Sequence, residues 1–383
     1  MHDLVVIGAG VWGAAAGLSA VEAGAKDVLL LEARPGPGGG MSAKSGGIVS
    51  QLLAHPDDRA WVVRSRELFE DALVRGGDST MIERTGSLAL CTYDEAQILD
   101  RIADELRPHG VEVEVWDRSA IQAHYPLLGG VEAGVYGMWS PTDWHVNPTA
   151  YADATVAYAR SRGLQVRFGC PVTGLRLEDD RVVLTCAGSA EPIEAARVLI
   201  AAGVWTRQLT RLAGIDIAMI PYRVQLASLA FPHRYALPIL SETGSDVYIT
   251  PDGPANLLAG DGTQLWEHDP EAYNEAGDRA FEEEIATAVT RLIPSAHTAE
   301  LRRSWAGLCG GTPGRRPLIG GVAERLFVAC GGNGFGIKRG PAIGELAARM
   351  ALGLAAPNAD ADPLRTAPAD FVLKPGSGGR LPS

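Results

Sequence analysis

The chain has 383 residues, a formal net charge of −12, and 46% apolar against 21% charged residues. Such a length exceeds what one hydrophobic core usually fills, so two domains are expected. The acidic balance speaks against a nucleic-acid footprint or an anionic membrane surface, and no run of about 18 apolar residues offers a membrane span.

No basic segment followed by a long apolar one precedes the first strand, so no signal peptide is expected. The five cysteines are scattered (Cys91, Cys170, Cys186, Cys309, Cys330). None has zinc-like spacing, so no metal is expected and a reduced, cytoplasmic protein is.

In chain order, Asp3 to Ile7 reads as a buried strand, Gly8 to Gly13 as a turn, Ala14 to Ala23 as a helix and Val28 to Leu31 as a second strand. Residues 35–47 are rich in Gly and Pro and read as a loop. Asp57 to Arg75 has helical period. Leu88 to Cys91 reads as a strand, Asp94 to Leu106 and Pro148 to Arg162 as helices, with strands near Val166, Val182 and Val198. Residues 216–306 alternate apolar and polar in short runs, which predicts an antiparallel sheet. Leu326 to Cys330 reads as a buried strand, followed by a Gly-rich turn and a helix from Pro341 to Leu352. The tail from Pro357 reads as surface or partly disordered chain.

Gly8-x-Gly10-x-x-Gly13 follows a strand, opens a helix and is followed 19 positions later by Glu32 at the end of the next strand. Gly8 permits the tight turn, Gly10 lets the backbone approach a pyrophosphate, and Gly13 lets helix and strand close up. Val11 and Trp12 start the helix whose free N–H groups and dipole favour phosphate, and Glu32 can take a ribose diol. An acid at 32 disfavours NADP. The motif alone leaves NAD and FAD open.

Six ordered segments decide between them. They are Leu4–Gly13 with Glu32-Ala33-Arg34, the loop Ser42–Ile48, Cys170–Thr173, Ala201–Trp205, Trp305–Leu308 leading to Arg316–Gly320, and Cys330–Glu345. The set resembles the D-amino-acid oxidase superfamily, in particular its glycine oxidase and sarcosine oxidase branch, from Asp3 to about Leu354. The resemblance implies an α/β protein: a Rossmann-type, glutathione-reductase-like FAD-binding domain plus a mixed, largely antiparallel substrate-binding sheet domain. The expected bounds are 1–83, 147–215 and 307–383 for the first, and 84–146 and 216–306 for the second.

It further implies that Ser42, Ala43, Lys44, Ser45, Gly46, Gly47 and Ile48 wrap the flavin ring and ribityl chain. Val172 meets the adenine, and Ala202 and Gly203, with Trp205 close by, lie near the pyrophosphate. Gly332, Asn333, Gly334, Phe335, Gly336, Ile337 and Lys338 cover the pyrimidine end of the flavin. Gly307 stands where sarcosine oxidase relatives carry the cysteine that attaches flavin covalently, so FAD is expected to be non-covalent here.

The family oxidises a C–N bond next to a carboxylate, giving an imine, with the α-hydrogen passing to flavin N5 as a hydride equivalent. In glycine oxidase relatives an Arg holds the carboxylate where this chain has Cys309. In sarcosine oxidase relatives a Lys in the last Gly-rich segment does so, and Lys338 falls there. Lys338, Tyr248 and Cys309 are thus the expected reactive-site residues, with Gln51 and Arg223 as further substrate candidates. His145, Arg315 and Arg316 are expected to be structural. The stretch Asn256–Gly260 lacks the lysine that relatives place near flavin N5, so oxygen or another acceptor both remain open, with oxygen and peroxide release preferred. Two other readings stand beside this one: a 2-hydroxy-acid or polyol-phosphate dehydrogenase, and a flavin subunit that passes electrons to a partner chain. The oligomeric state is left open.

Overall fold

The computed structural model describes residues 1–355 except 190, 233, 263, 267 and 268. The tail from Pro357 lies outside them, as does the end of the segment 307–383.

Leu4–Ile7 is wholly buried and lies inside a six-stranded sheet. It pairs in parallel with Val28–Leu31 and Val198–Ile200. Leu326–Cys330 and Gln165–Arg167 add parallel strands on the two sides, and Leu318–Ala323 closes one edge antiparallel. The central strands are unbroken apolar runs because both faces are covered. On one face pack the helices Val11–Glu22, Pro148–Ser161 and Gly336–Ala351. On the other lies a three-stranded meander, Val172–Leu177, Val182–Cys186 and Ile193–Ala195.

The first and last helices touch closely. A Cβ on Gly344 would come within 2.2 Å of the Trp12 carbonyl oxygen, so only glycine allows this crossing. The last helix begins at Gly336 rather than at Pro341, which sits inside it. The end of the Gly-rich turn is therefore already the first helical turn.

A nine-stranded mixed sheet forms the second layer system. Its longest pairing joins Ile220–Ala230 to Glu300–Gly311. It is mixed because Ile239–Glu242 runs parallel to Ser87–Cys91. Residue 307, the expected domain boundary, falls inside the continuous strand Glu300–Gly311. One element of residues 216–306 is not sheet. Arg279–Leu292 is a helix that buries Phe281, Ile285, Val289 and Leu292, a spacing of four, four and three. That is one face of a helix, which the short alternating runs around it obscured. A small fourth sheet of Ile48–Val49, Trp144–Val146 and Ile82–Glu83 ties the loop after the phosphate turn to the chain leading into the helix Pro148–Ser161.

Candidate cofactor and substrate site

The phosphate turn has the geometry its glycines predict. Gly8 has φ +104°, and a Cβ there would lie 2.6 Å from the Ala201 carbonyl oxygen. A Cβ on Gly13 would lie 1.8 Å from the Gly8 oxygen, so the helix seats directly on the strand end. Glu32 accepts from the backbone N–H of Ala9 at 2.7 Å and of Arg34 at 2.8 Å, which fixes its carboxylate at the edge of the turn. The helix Val11–Glu22 opens without a side-chain cap and without an acid in its first turn, and so does Gly336–Ala351. Two uncapped helix starts therefore face one region and offer N–H groups to anions. Trp12 joins them, its indole N–H donating to the Gly336 carbonyl at 2.7 Å. This role explains a tryptophan in a slot the motif leaves free.

Between them runs a cleft of about 710 Å³, within the range of cofactor sites. Its walls include Gly8, Gly10, Val11, Trp12, Glu32, Ala33, Arg34, Ser42 and Ser45. Further along they include Val172, Ala202, Gly203, Trp205, Cys309, Gly332, Gly334, Gly336 and Ile337. The cleft thus brings together residues from one end of the fold to the other.

Other expected residues sit behind the wall. Asn333, with φ +50°, bonds Thr312 and the Gly331 carbonyl and stitches the Gly-rich turn. Phe335 is flanked by Arg315, Lys338 and Arg339 within 5.5 Å of its ring centre. A Cβ on Gly307 would touch Lys44 Cβ at 3.2 Å, and Trp305 Nε1 donates to the Lys44 carbonyl. Ala43 lies in the turn Met41–Lys44. Gly46 abuts the Tyr248 ring, and Gly47, with φ +64°, precedes the strand that begins at Ile48. His145 pairs with Ile48, and burial holds its imidazole below the usual value.

Tyr248 stands opposite Gly260 in its ladder, and its ring covers the space a side chain there would need. Burial pushes its phenol well up, with Cys309 and Asp261 nearby. Burial likewise pushes the Cys309 thiol up, against hydrogen bonds from Tyr222 and the Gly334 backbone. Tyr222 faces Cys309 across the long strand pair.

Lys338 is only 7% exposed, and its ammonium donates to Ser50 Oγ at 2.5 Å. Burial lowers it to about 8, opposed chiefly by Asp143. Gln51 is fully enclosed: its amide donates to Asp143 Oδ1 at 2.9 Å and accepts from Arg66. Arg223 does not join this group. Its guanidinium is spent on Asp278, on the carbonyls of Asn274 and Ala276, and on Gln225. It anchors a strap, residues 269–278, whose Glu271 lines the cleft. Glu271 of the strap takes the Trp205 indole N–H, and Lys44 bonds Tyr273 and Glu275.

Sequence reading missed Ser50, Asp143, Arg66 and the strap. It also missed a buried ion cluster behind the Gly-rich turn, where Asp58 meets Arg339 at 2.5 Å and Arg316 at 3.1 Å, and Asp57 meets Arg316 at 2.8 Å. Little in local spacing marks these residues; their partners lie from 15 to 288 positions away.

A buried parallel sheet, a Gly-rich turn before an uncapped helix, and a second such helix facing the same large cleft define a dinucleotide-dependent oxidoreductase. The chain belongs to the DAO family of FAD-dependent oxidoreductases, whose pattern matches residues 3–350, and its cofactor is FAD. Hydrogen cyanide synthase subunit HcnC of Pseudomonas aeruginosa is 28% identical over 297 residues, covering 74% of this chain and 67% of that protein. Mitochondrial sarcosine dehydrogenase of Homo sapiens is 25% identical over 371 residues, covering 90% of this chain. The chain spans only 39% of that dehydrogenase's length. Among solved structures, L-proline dehydrogenase from P. horikoshii superposes with a TM-score of 0.83 at 23% identity, over 94% of this chain and 96% of that one.

Proposed function

We propose that this protein oxidises the C–N bond of an amino acid or secondary amine that bears a carboxylate, giving an imine, with oxygen as the final acceptor and peroxide as the product. The observation that carries the reading is Lys338, a buried ammonium with a hydroxyl as its hydrogen-bond partner, Ser50. A buried cation is costly unless an anion meets it, and a substrate carboxylate supplies one. The relative named for sarcosine, an N-methyl amino acid, supports the same class.

Bound FAD supplies the two-electron acceptor. The residues of the chain bind and orient. Lys338 holds the carboxylate. Tyr248 stays a neutral phenol at working pH and can donate a hydrogen bond but not accept a proton. Cys309 stays a thiol for the same reason, so it is a small pocket residue rather than a nucleophile, and the flavin is held without a covalent bond. Cys309 lines the cleft with a small side chain, which leaves room for a larger substrate.

The test is a panel of N-methyl, cyclic and primary amino acids beside their decarboxylated amines, with peroxide and dye reduction read together. Carboxylate-bearing amines should be turned over, and the neutral counterparts should be at least roughly tenfold poorer. Equal rates for both would remove the carboxylate from the reading. Acid precipitation should leave the yellow colour in the supernatant. The relative named as a synthase subunit supports a second reading, in which electrons leave through a partner chain. Dye reduction without peroxide, together with a co-purifying second chain, would favour it.

A further inference from the structure

Five residues touch Lys338 or act on its charge. Ser50, just past the strand Ile48–Val49, takes its hydrogen bond at 2.5 Å, and the Phe335 ring centre lies 5.2 Å from Nζ. Asp58, on the helix Pro56–Val74, and Arg339, on the same helix as Lys338, also act on it. Those two pair with each other at 2.5 Å, and Arg316 shares Asp58 while also holding Asp57. Two cations and two anions thus balance. Asp143 is the remaining anion.

Asp143 is 1% exposed and lies just before the strand Trp144–Val146. Its Oδ2 accepts from Ser87 at 2.5 Å and its Oδ1 from Gln51 at 2.9 Å. Burial pushes its carboxyl up, and these two donors, with Lys338 and Arg66, oppose that. Gln51 also bonds Thr142 and accepts from Arg66, so its side chain has one orientation. Ser50 immediately precedes Gln51, so the backbone links this anchored side chain to the Lys338 partner. Glu70 and Arg84, which also act on Arg66, pair with each other. Lys338, Arg66 and Asp143 therefore leave one positive charge without a partner.

We propose that Asp143 is a positioning residue for carboxylate recognition: through Gln51 and Ser50 it fixes the Lys338 ammonium, and it leaves a buried cluster one negative charge short, which selects ligands carrying a single carboxylate. The inference rests on the reading of Lys338 as the carboxylate ligand and adds the group that places it.

Acetate is the probe, titrated by calorimetry into the flavin-loaded protein between pH 6 and 10. Wild type should bind acetate and lose affinity roughly tenfold per unit above about pH 8, as the ammonium deprotonates. Asp143→Asn should move the alkaline loss to lower pH, because the anion opposing deprotonation is gone, and so weaken acetate roughly tenfold at about pH 8; below that loss, with the cluster two negative charges short, succinate should close on acetate. Succinate should bind more weakly than acetate. A purely structural role for Asp143 would leave the pH of that loss unmoved. If Asp143→Asn does not fold, Gln51→Leu carries the test, since it cuts the link to Ser50 while Ser87 still holds the carboxylate; it too should weaken acetate roughly tenfold. Unchanged affinity and an unchanged alkaline limb in the folded variant overturn the positioning role. Absence of acetate binding in wild type overturns the Lys338 reading itself, which separates the two failures.

Discussion

Burial lowers the Lys338 ammonium to about 8, and replacing it moves two observables in opposite directions. Lys338→Met should raise KM for a carboxylate substrate roughly 10- to 100-fold, the range of one charged hydrogen bond. In wild type, kcat/KM should rise with pH as the substrate amine deprotonates and fall above about pH 8 as Lys338 loses its proton. The variant should keep the first limb and lose the second; steady-state kinetics across pH read both. Stability should move the other way. The unfolded chain holds this proton up to its ordinary value of 10.5, the folded chain only to about 8. The folding penalty is therefore fully present below about pH 8 and disappears as pH rises towards 10.5. Lys338→Met should be more stable at pH 7, on the order of 1–3 kcal/mol by denaturant unfolding, with the gap closing at alkaline pH.

Among elements, the crossing of the first and last helices controls how the two uncapped starts are aimed. Gly344→Ala puts a methyl against the Trp12 backbone oxygen, an atom that cannot swing aside. It should cost about 1–3 kcal/mol and weaken flavin retention, measured by thermal unfolding and by flavin fluorescence after dilution. The cofactor half of this arrangement was legible in the sequence because its signals are local: Gly8, Gly10 and Gly13 act within six residues, and Glu32 lies one strand on. The Lys338 neighbourhood was not. Gln51 read as a further substrate candidate, but its partners Asp143 and Arg66 are set by a strand turn and a helix that its own neighbourhood does not reveal. Arg223 read as a further candidate too, and its guanidinium meets a carboxylate of its own chain, Asp278. The helix Arg279–Leu292 escaped because its period is drowned by strands on either side.

On the scale of the whole molecule, the cleft wall is drawn from residues between Ile7 and Ile337, and the strap 269–278 adds Glu271 to it. Ligand bound only to such a site adds about 2.7 kcal/mol to folding when free FAD stands at 100 times its Kd. Flavin fluorescence and loss of secondary structure should therefore share one midpoint on heating, and that midpoint should rise with added FAD. Two separated transitions would mean that the cleft opens without the fold.

The second uncapped helix start lies near the end of the described chain, at Gly336. During synthesis the phosphate turn waits some 320 residues for the wall that closes over it. Flavin capture consequently waits until synthesis has passed Gly336. A nascent polypeptide arrested before Gly331 should emerge colourless, however much FAD surrounds it.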